Sequence, residues 1–353
     1  MRLSLISFTR HGAMVCQTLF YGFLKGGHDC RAWGMAKYAA AYGLTPLEEP
    51  LARWCEKGFA EADALVFVGA CGIAVRGIAP FVKDKRTDPA VVVTDEQGNY
   101  VISLLSGHIG GANELAVKVA EMTGGVPVVT TATDVNGLFA VDVFARQNGM
   151  VIENMKYAKA VSAALLDGEP VGFASRFPVR GEIPPQLLAE GGGGRPGTRP
   201  RLGIAVTLDE TDQPYPDTLR LYPRIVTAGI GCRRDTPAEL IEEKVLEALA
   251  LHHMPVCCLA GAASIDLKAR EEGILAFCRK YGLPYRVYTA QQLQAVPGDF
   301  SPSSFVSSVT GVDNVCERAA VLASGGGRLL QKKYVGDGVT VALAVKDWSA
   351  DFE

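Results

Sequence analysis

Within nine residues, Ser106-Gly107-His108-Ile109-Gly110-Gly111-Ala112-Asn113-Glu114, the chain collects three glycines beside an imidazole, an amide and a carboxylate. A strand-like run, Tyr100-Val101-Ile102-Ser103-Leu104-Leu105, precedes this segment, and a helical pattern over residues 115–122 follows it. A glycine-rich turn that closes a strand and opens a helix offers backbone N–H groups at the helix start. With a titratable imidazole beside them, such a turn can bind a carboxylate or a developing oxyanion and can move a proton. His108 is the candidate base or acid. Ser106 and the N–H groups of Gly110 and Gly111 are candidate donors, and Asn113 is a candidate for orienting water or the imidazole. The plainer reading is a tight turn that needs glycine for positive φ and close packing, with His108 capping the helix. The spacing is neither the GxGxxG dinucleotide fingerprint nor a P-loop, which ends on Lys-Ser/Thr, so no nucleotide motif is present.

Other segments could add to that chemistry. Gly69-Ala70-Cys71-Gly72-Ile73-Ala74-Val75-Arg76 follows the apolar run Ala64-Leu65-Val66-Phe67-Val68. Ligands of parallel α/β sheets sit beyond the carboxyl ends of the strands, so this turn and the His108 turn are expected to line one crevice. Arg76, with Lys83, Lys85 and Arg86 behind it, can hold carboxylates, or these are solvated surface charges. Gly72, Gly107 and Glu114 count as further ligand contacts. Thr130-Thr131-Ala132-Thr133-Asp134 ends a third strand, where Asp134 either orients His108, transfers a proton, or serves as a turn or N-cap aspartate. Ser264, Asp266 and Lys268 open a later helix and can hold an acidic ligand, or Lys268 pairs with Glu272 one turn on. His252-His253 have no partner cluster, so no metal site is expected.

The elements that must position these groups read as alternating strands and helices, which points to α/β architecture. The expected fold is multi-domain α/β, with parallel or mixed sheets flanked by helices in the N-terminal and C-terminal domains and a small α+β middle domain. The expected spans are 1–140, 141–222 and 223–353. The glycine run 191–194 reads as a loop inside the middle domain. In the last domain Thr236, Pro237 and Glu239 form a capping-box pattern, and residues 256–259, 267–281 and 284–288 read as strand, helix and strand. Segments 329–335 and 339–345 flank Gly336-Asp337-Gly338 as a hairpin.

The chain has 353 residues, 48% hydrophobic and 21% charged, with a net charge of -3, which excludes a disordered chain and gives no electrostatic case for nucleic acid or an anionic membrane. No apolar run of about 18 residues and no signal peptide is present, so a cytoplasmic protein is expected. The nine cysteines are scattered without a CxxC, and read as buried reduced thiols.

Six segments together resemble the CbiG family of cobalamin biosynthesis. They are Gly72-Ile73-Ala74-Val75-Arg76, the stretch from Leu105 to Ala116, Thr130-Thr131-Ala132-Thr133-Asp134, Gly229-Ile230-Gly231-Cys232-Arg233-Arg234, Ala263-Ser264-Ile265-Asp266-Leu267-Lys268, and Gly311-Val312-Asp313-Asn314-Val315-Cys316-Glu317. Order and spacing match along nearly the whole chain, although the middle domain carries almost no motif. The resemblance implies a hydrolase acting on cobalt-precorrin-5A. Water opens a δ-lactone on the contracted cobalt macrocycle, and a two-carbon fragment leaves as acetaldehyde to give cobalt-precorrin-5B. It implies no cofactor of the protein's own, since the cobalt is carried by the substrate and the macrocycle accepts electron density. The acidic arms of such a tetrapyrrole suit Arg76, Arg233 and Lys268. Transient contact with neighbouring corrin-pathway enzymes fits the same picture, while nucleic acid and membrane do not. The resemblance carries no catalytic assignments, so the site roles rest on residue type. A protein that binds or carries corrinoid intermediates without catalysis would need the arm-binding residues but not His108.

Overall fold

In the strand Ala64–Val68 every residue is buried. Leu65 and Phe67 join one core while Ala64, Val66 and Val68 join another. Side chains alternate between the two faces of a strand, so a run without polar residues is what burial on both faces requires. The computed structural model describes residues 1–84, 87–108, 110–131, 136–190, 200–303, 307–308 and 310–353. Over these the chain divides into two compact units, Met1–Val143 and Phe144–Glu353.

The first unit runs β1 (Arg2–Ser7), α1 (Arg10–Lys25), β2 (Asp29–Gly34), α2 (Ala36–Ala39), β3 (Thr45–Pro46), α3 (Leu51–Glu61), β4 (Ala64–Val68), α4 (Cys71–Ile78), β5 (Ala90–Thr94), β6 (Tyr100–Leu105), α5 (Ala112–Thr123) and β7 (Val126–Val128). Its seven-stranded sheet has the order β3-β2-β1-β4-β5-β6-β7. Leu3, Leu5, Val66 and Val92 pack against Leu19 and Phe23 of α1 and Leu115 and Val119 of α5. On the other face Ile6, Phe67 and Val93 pack against Trp54 of α3 and Ile78 of α4. Each such side chain, fully buried, contributes roughly 1.5–3 kcal/mol. β6 pairs antiparallel with β5, Val91 opposite Leu105, and β7 is parallel to β6. Only five residues join β5 to β6, too few for a parallel crossover and right for a hairpin, with Gly98 at positive φ in the turn.

The second unit holds two five-stranded sheets. After α6 (Val141–Gln147), which straddles the border, come β8 (Met150–Ile152), α7 (Met155–Leu166), β9 (Val171–Ser175), β10 (Val179–Arg180), β11 (Leu187–Ala189), β12 (Leu202–Val206) and β13 (Asp217–Pro223). One sheet is β11-β9-β12-β13-β8. Then follow β14 (Val226–Cys232), α8 (Ala238–Ala250), β15 (Leu259–Ile265), α9 (Glu272–Tyr281), β16 (Tyr285–Tyr288), α10 (Ala290–Gln294), α11 (Cys316–Ala323), β17 (Arg328–Gly336), β18 (Val339–Val345) and β19 (Ala350–Asp351). The other sheet is β16-β15-β14-β18-β17. The chain end pairs β19 with β10 as a separate two-stranded sheet, and Phe352 stacks on Phe144 at 4.4 Å between ring centres.

Three local expectations change. Thr236 does not cap α8; its hydroxyl donates to the Arg233 carbonyl, and the helix starts at Ala238 behind Pro237 without a side-chain cap. Residues 256–258 form a 3-10 turn, and the strand begins at Leu259. The expected helix 267–281 splits into a 3-10 turn, Asp266–Lys268, and α9. Ala260-Gly261-Ala262-Ala263 carries little strand propensity, but the sheet under α11 demands small residues: a Cβ on neighbouring Gly229 would collide with the Cys316 carbonyl. The glycine run 191–194 lies outside the described residues.

Candidate active site

Because β6 runs against β5, the turn after Leu105 emerges at the amino edge of the parallel strands, beside the residues that lead into β5. Ser106 is buried there at φ 57°, and its hydroxyl donates to the Asp88 carbonyl at 3.0 Å. The turn then closes on itself: the N–H of Gly111 donates to His108, that of Ala112 to Ser106, and that of Asn113 to Gly107. Gly110 packs against Ser106, where an added Cβ would lie 2.4 Å from the serine Cβ, and Gly111 has φ +82°. Glycine at both positions is therefore a steric requirement of this turn.

Asn113 is 7% exposed and fully engaged. Its Oδ1 accepts from Ser103 at 2.6 Å and its Nδ2 donates to Thr131 at 2.8 Å, tying β6 to the chain that leaves β7. Its amide is thus a brace for the turn. The Ser106 hydroxyl and the Gly111 N–H are likewise committed internally and do not serve as the donors expected from sequence. Gly107 sits against Asn113, with an added Cβ 2.7 Å from Oδ1, and Glu114 is half-buried in the first turn of α5, where the helix dipole favours a carboxylate.

His108 has a partner that sequence reasoning missed. Its Nδ1 lies 3.5 Å from Oδ2 of Asp142, and each side chain is 17% exposed. Asp142 stands in the first turn of α6, where Oδ1 also accepts from the Val143 N–H. Burial alone would push the Asp142 carboxyl up, but the hydrogen bond and charge of His108, with the Val143 N–H, bring it below its ordinary value. No spacing rule joins the two residues, because they meet only where the fold brings the start of α6 to the glycine turn. Asp134, the expected orienting group, lies outside the described residues.

The lowered carboxyl makes a stability prediction. A carboxyl depressed in the fold adds stability that is complete above its unfolded value of about 4 and is lost as pH falls through the folded value. The wild type is therefore expected to lose more unfolding free energy between about pH 6 and about pH 3 than Asp142→Asn does. Denaturant titrations at several pH values measure this, and parallel curves for the two proteins would refute it.

The structure separates the two turns that sequence placed in one crevice. Gly72 lies in the first turn of α4, which leaves β4 at the carboxyl edge, opposite the His108 turn. Arg76 points back along that helix, its Nη1 3.4 Å from the Gly72 carbonyl. Lys85 and Arg86 lie outside the described residues. In the second unit Arg233 follows β14, and Asp266 and Lys268 follow β15, at the carboxyl edge of these parallel strands, with the Arg233 side chain lying against Gly338 on the β18 side. Ser264 does not join them: it is fully buried, and its hydroxyl donates to the Ile230 carbonyl at 2.6 Å. Lys268 pairs with Glu271 at 2.7 Å instead of Glu272, because the chain there is a 3-10 turn. Cys232 lies beside Lys268 and Glu271, and burial pushes its thiol up. All nine cysteines are free thiols and none is exposed; burial pushes Cys55 and Cys278 up to about 11. No group of three or more His, Cys, Asp or Glu among the described residues could hold a metal ion. No described helix is long and apolar enough to cross a membrane.

Three family models match the chain in order: cobalamin synthesis G N-terminal over residues 53–134, cobalamin biosynthesis central region over 139–223, and cobalamin synthesis G C-terminus over 226–344. The chain is 37% identical to a cobalt-precorrin-5A hydrolase of Salmonella typhimurium over 313 residues, covering 86% of this chain and 88% of the relative. It is 35% identical to a cobalt-precorrin-5A hydrolase of Priestia megaterium over 305 residues, covering 81% of this chain and 79% of that one. Among solved structures, CobE, a protein from the cobalamin biosynthetic pathway, is 34% identical and covers 34% of this chain and 92% of its own, with a TM-score of 0.32.

Proposed function

The chain belongs to the cobalamin synthesis G family, and on that premise we propose that it works as a cobalt-precorrin-5A hydrolase around the His108–Asp142 pair. Kinship at 35–37% identity over most of the chain carries the activity. The pair, at 3.5 Å in the glycine turn, is the observation that carries the placement of the chemistry. The substrate is a tetrapyrrole intermediate that brings its own cobalt.

The reaction sets requirements that this pair can meet. Water must lose a proton as its oxygen adds to the lactone carbonyl, and His108 takes that proton. Asp142 holds Nδ1 and steadies the imidazolium, so transfer runs through Nε2. As the tetrahedral intermediate collapses, the ring C–O bond breaks and His108 returns its proton to the departing oxygen, leaving a hydroxyl and a carboxylic acid that gives its own proton to solvent. His108 then takes the hydroxyl proton while the C–C bond to the macrocycle breaks. Its electron pair enters the conjugated ring, and the carbon that carried the hydroxyl leaves as acetaldehyde. The Gly110 N–H is the donor of the turn offered to the developing oxyanion. Asp134 remains a proposed second proton-handling group.

The experiment is incubation of the purified protein with cobalt-precorrin-5A and enzymatic quantification of acetaldehyde. Release with turnover is expected. A spectral change on binding with no aldehyde would instead favour a non-catalytic corrinoid carrier.

A further inference from the structure

In the second unit the amino edge of the sheet β16-β15-β14-β18-β17 carries a cavity of about 300 Å³. Three cations converge on it: Arg224 just before β14, Arg286 in β16 and Lys346 just after β18. No Asp or Glu lines the cavity, and among the described residues none of the three cations forms a salt bridge. All three are exposed. The cavity is shaped by a bulge: Val226 faces Leu259 and Thr227 faces Gly261, which leaves Ala260 as the extra residue. Bulges locally break the ladder and open the sheet where they occur.

The ordinary explanation for cations at this place would be the end of α11, whose last residues also line the cavity. That explanation falls short on two counts. Three of the last four carbonyls of α11 are already taken by the chain, since the Ser324, Gly325 and Gly326 N–H groups donate to Ala320, Leu322 and Val321. A helix end also offers only about half a negative charge, against three positive ones. The Ser324 hydroxyl is spent as well, donating to Val321 and accepting from Gly327. Three like charges gathered in a concave site, without a protein counter-charge, mark a place built for an anion that is not part of the chain.

We propose that this cavity binds a compact multivalent oxyanion, phosphate-like or polycarboxylate, through Arg224, Arg286 and Lys346, with Thr227 at its floor. It lies at the opposite edge of the sheet from Arg233, Asp266 and Lys268, so it is a separate site from theirs. Its volume is at the low end for small-molecule pockets, which suits a small anion and excludes a whole macrocycle.

The test uses the full chain at low ionic strength. Inorganic phosphate and citrate are titrated separately by calorimetry into three proteins. These are the wild type, a triple variant (Arg224→Gln, Arg286→Gln, Lys346→Gln), and a charge-matched control carrying Lys25→Gln, Lys37→Gln and Lys159→Gln. At least one anion is expected to bind the wild type and the control saturably at one per chain and to raise their thermal midpoint. The triple variant is expected to bind it at least tenfold more weakly, with no rise in midpoint. Phosphate alone, citrate alone or both identify the chemistry of the ligand. If neither anion binds the wild type, or if the triple variant binds as well as the control does, the site is refuted. Arg286→Gln alone, with a circular dichroism spectrum matching wild type, gives the same reading should the triple variant fold poorly.

Discussion

His108→Ala is expected to lower the turnover number for acetaldehyde release by about 10²–10⁴-fold, the range for loss of a general base. That corresponds to about 3–5 kcal/mol of transition-state stabilisation. His108→Gln keeps the size and a hydrogen-bonding end but cannot take a proton in this range, so it should fall as far. An interaction made only in the transition state lowers kcat and kcat/KM together, so KM is expected to move little. Asp142→Asn should cost less, because the carboxylate acts through the ring it orients. It should also shift the acid limb of the pH–rate profile, a change that a merely structural role would not produce. If both His108 variants turn over at near wild-type rates, the turn binds or braces but does not catalyse, and the base must be sought elsewhere.

The largest stability effect is expected at Arg318. Its side chain is 9% exposed and grips Asp313 with two bonds of 2.8 and 3.1 Å. Nη1 donates to the carbonyls of Leu293, Gln294 and Val296, and the guanidinium lies 4.5 Å from the Phe300 ring centre. Arg318→Met keeps much of the volume but leaves three carbonyls without their donor, while the partly exposed Asp313 carboxylate turns to water, which should cost about 3–5 kcal/mol. Guanidinium denaturation, with amide exchange read across α11 and β14, measures it; a loss below about 1 kcal/mol would show that water replaces the guanidinium without penalty. The Arg318 hydrogen bond also holds the Asp313 carboxyl below its ordinary value, so this contribution is present at neutral pH and lost in acid.

That network gives the segment Gly311-Val312-Asp313-Asn314-Val315-Cys316-Glu317 a structural meaning. Glu317 is fully buried, and its two oxygens accept from the Ser301 and Lys333 N–H groups at 2.9 and 2.7 Å. Asn314 accepts from the Glu317 N–H and donates to the Ser301 carbonyl. These polar residues hold the chain at Ser301 onto β17 and α11. A motif shared with a family can thus record the cost of burying charge as readily as it records contact with a substrate.

Several features were legible in the residues. Ala64–Val68 and Ala90–Thr94 are buried strands because nothing polar interrupts them. The hairpin β17–β18 follows from Gly336-Asp337-Gly338, with Asp337 and Gly338 both at positive φ. The opposing direction of β6 was missed when the two turns were placed in one crevice, although the short Gly98-bearing link carries it, and it is this that sends the His108 turn to the edge away from Gly72. Thr236 misled because its hydroxyl donates to the Arg233 carbonyl and makes no cap for the helix.

By itself, the sequence determined the family, the α/β character and the need for glycine in the turn around His108, since these follow from local sterics and from the pattern of burial along single segments. Only the tertiary structure decided what that turn can do. Ser106, Gly111 and Asn113 spend their donors on the chain itself, and His108 acquires Asp142 from a helix far along the sequence. Hydrogen-bond capacity is finite and its allocation depends on which groups packing brings within about 3 Å, which no spacing along the chain encodes.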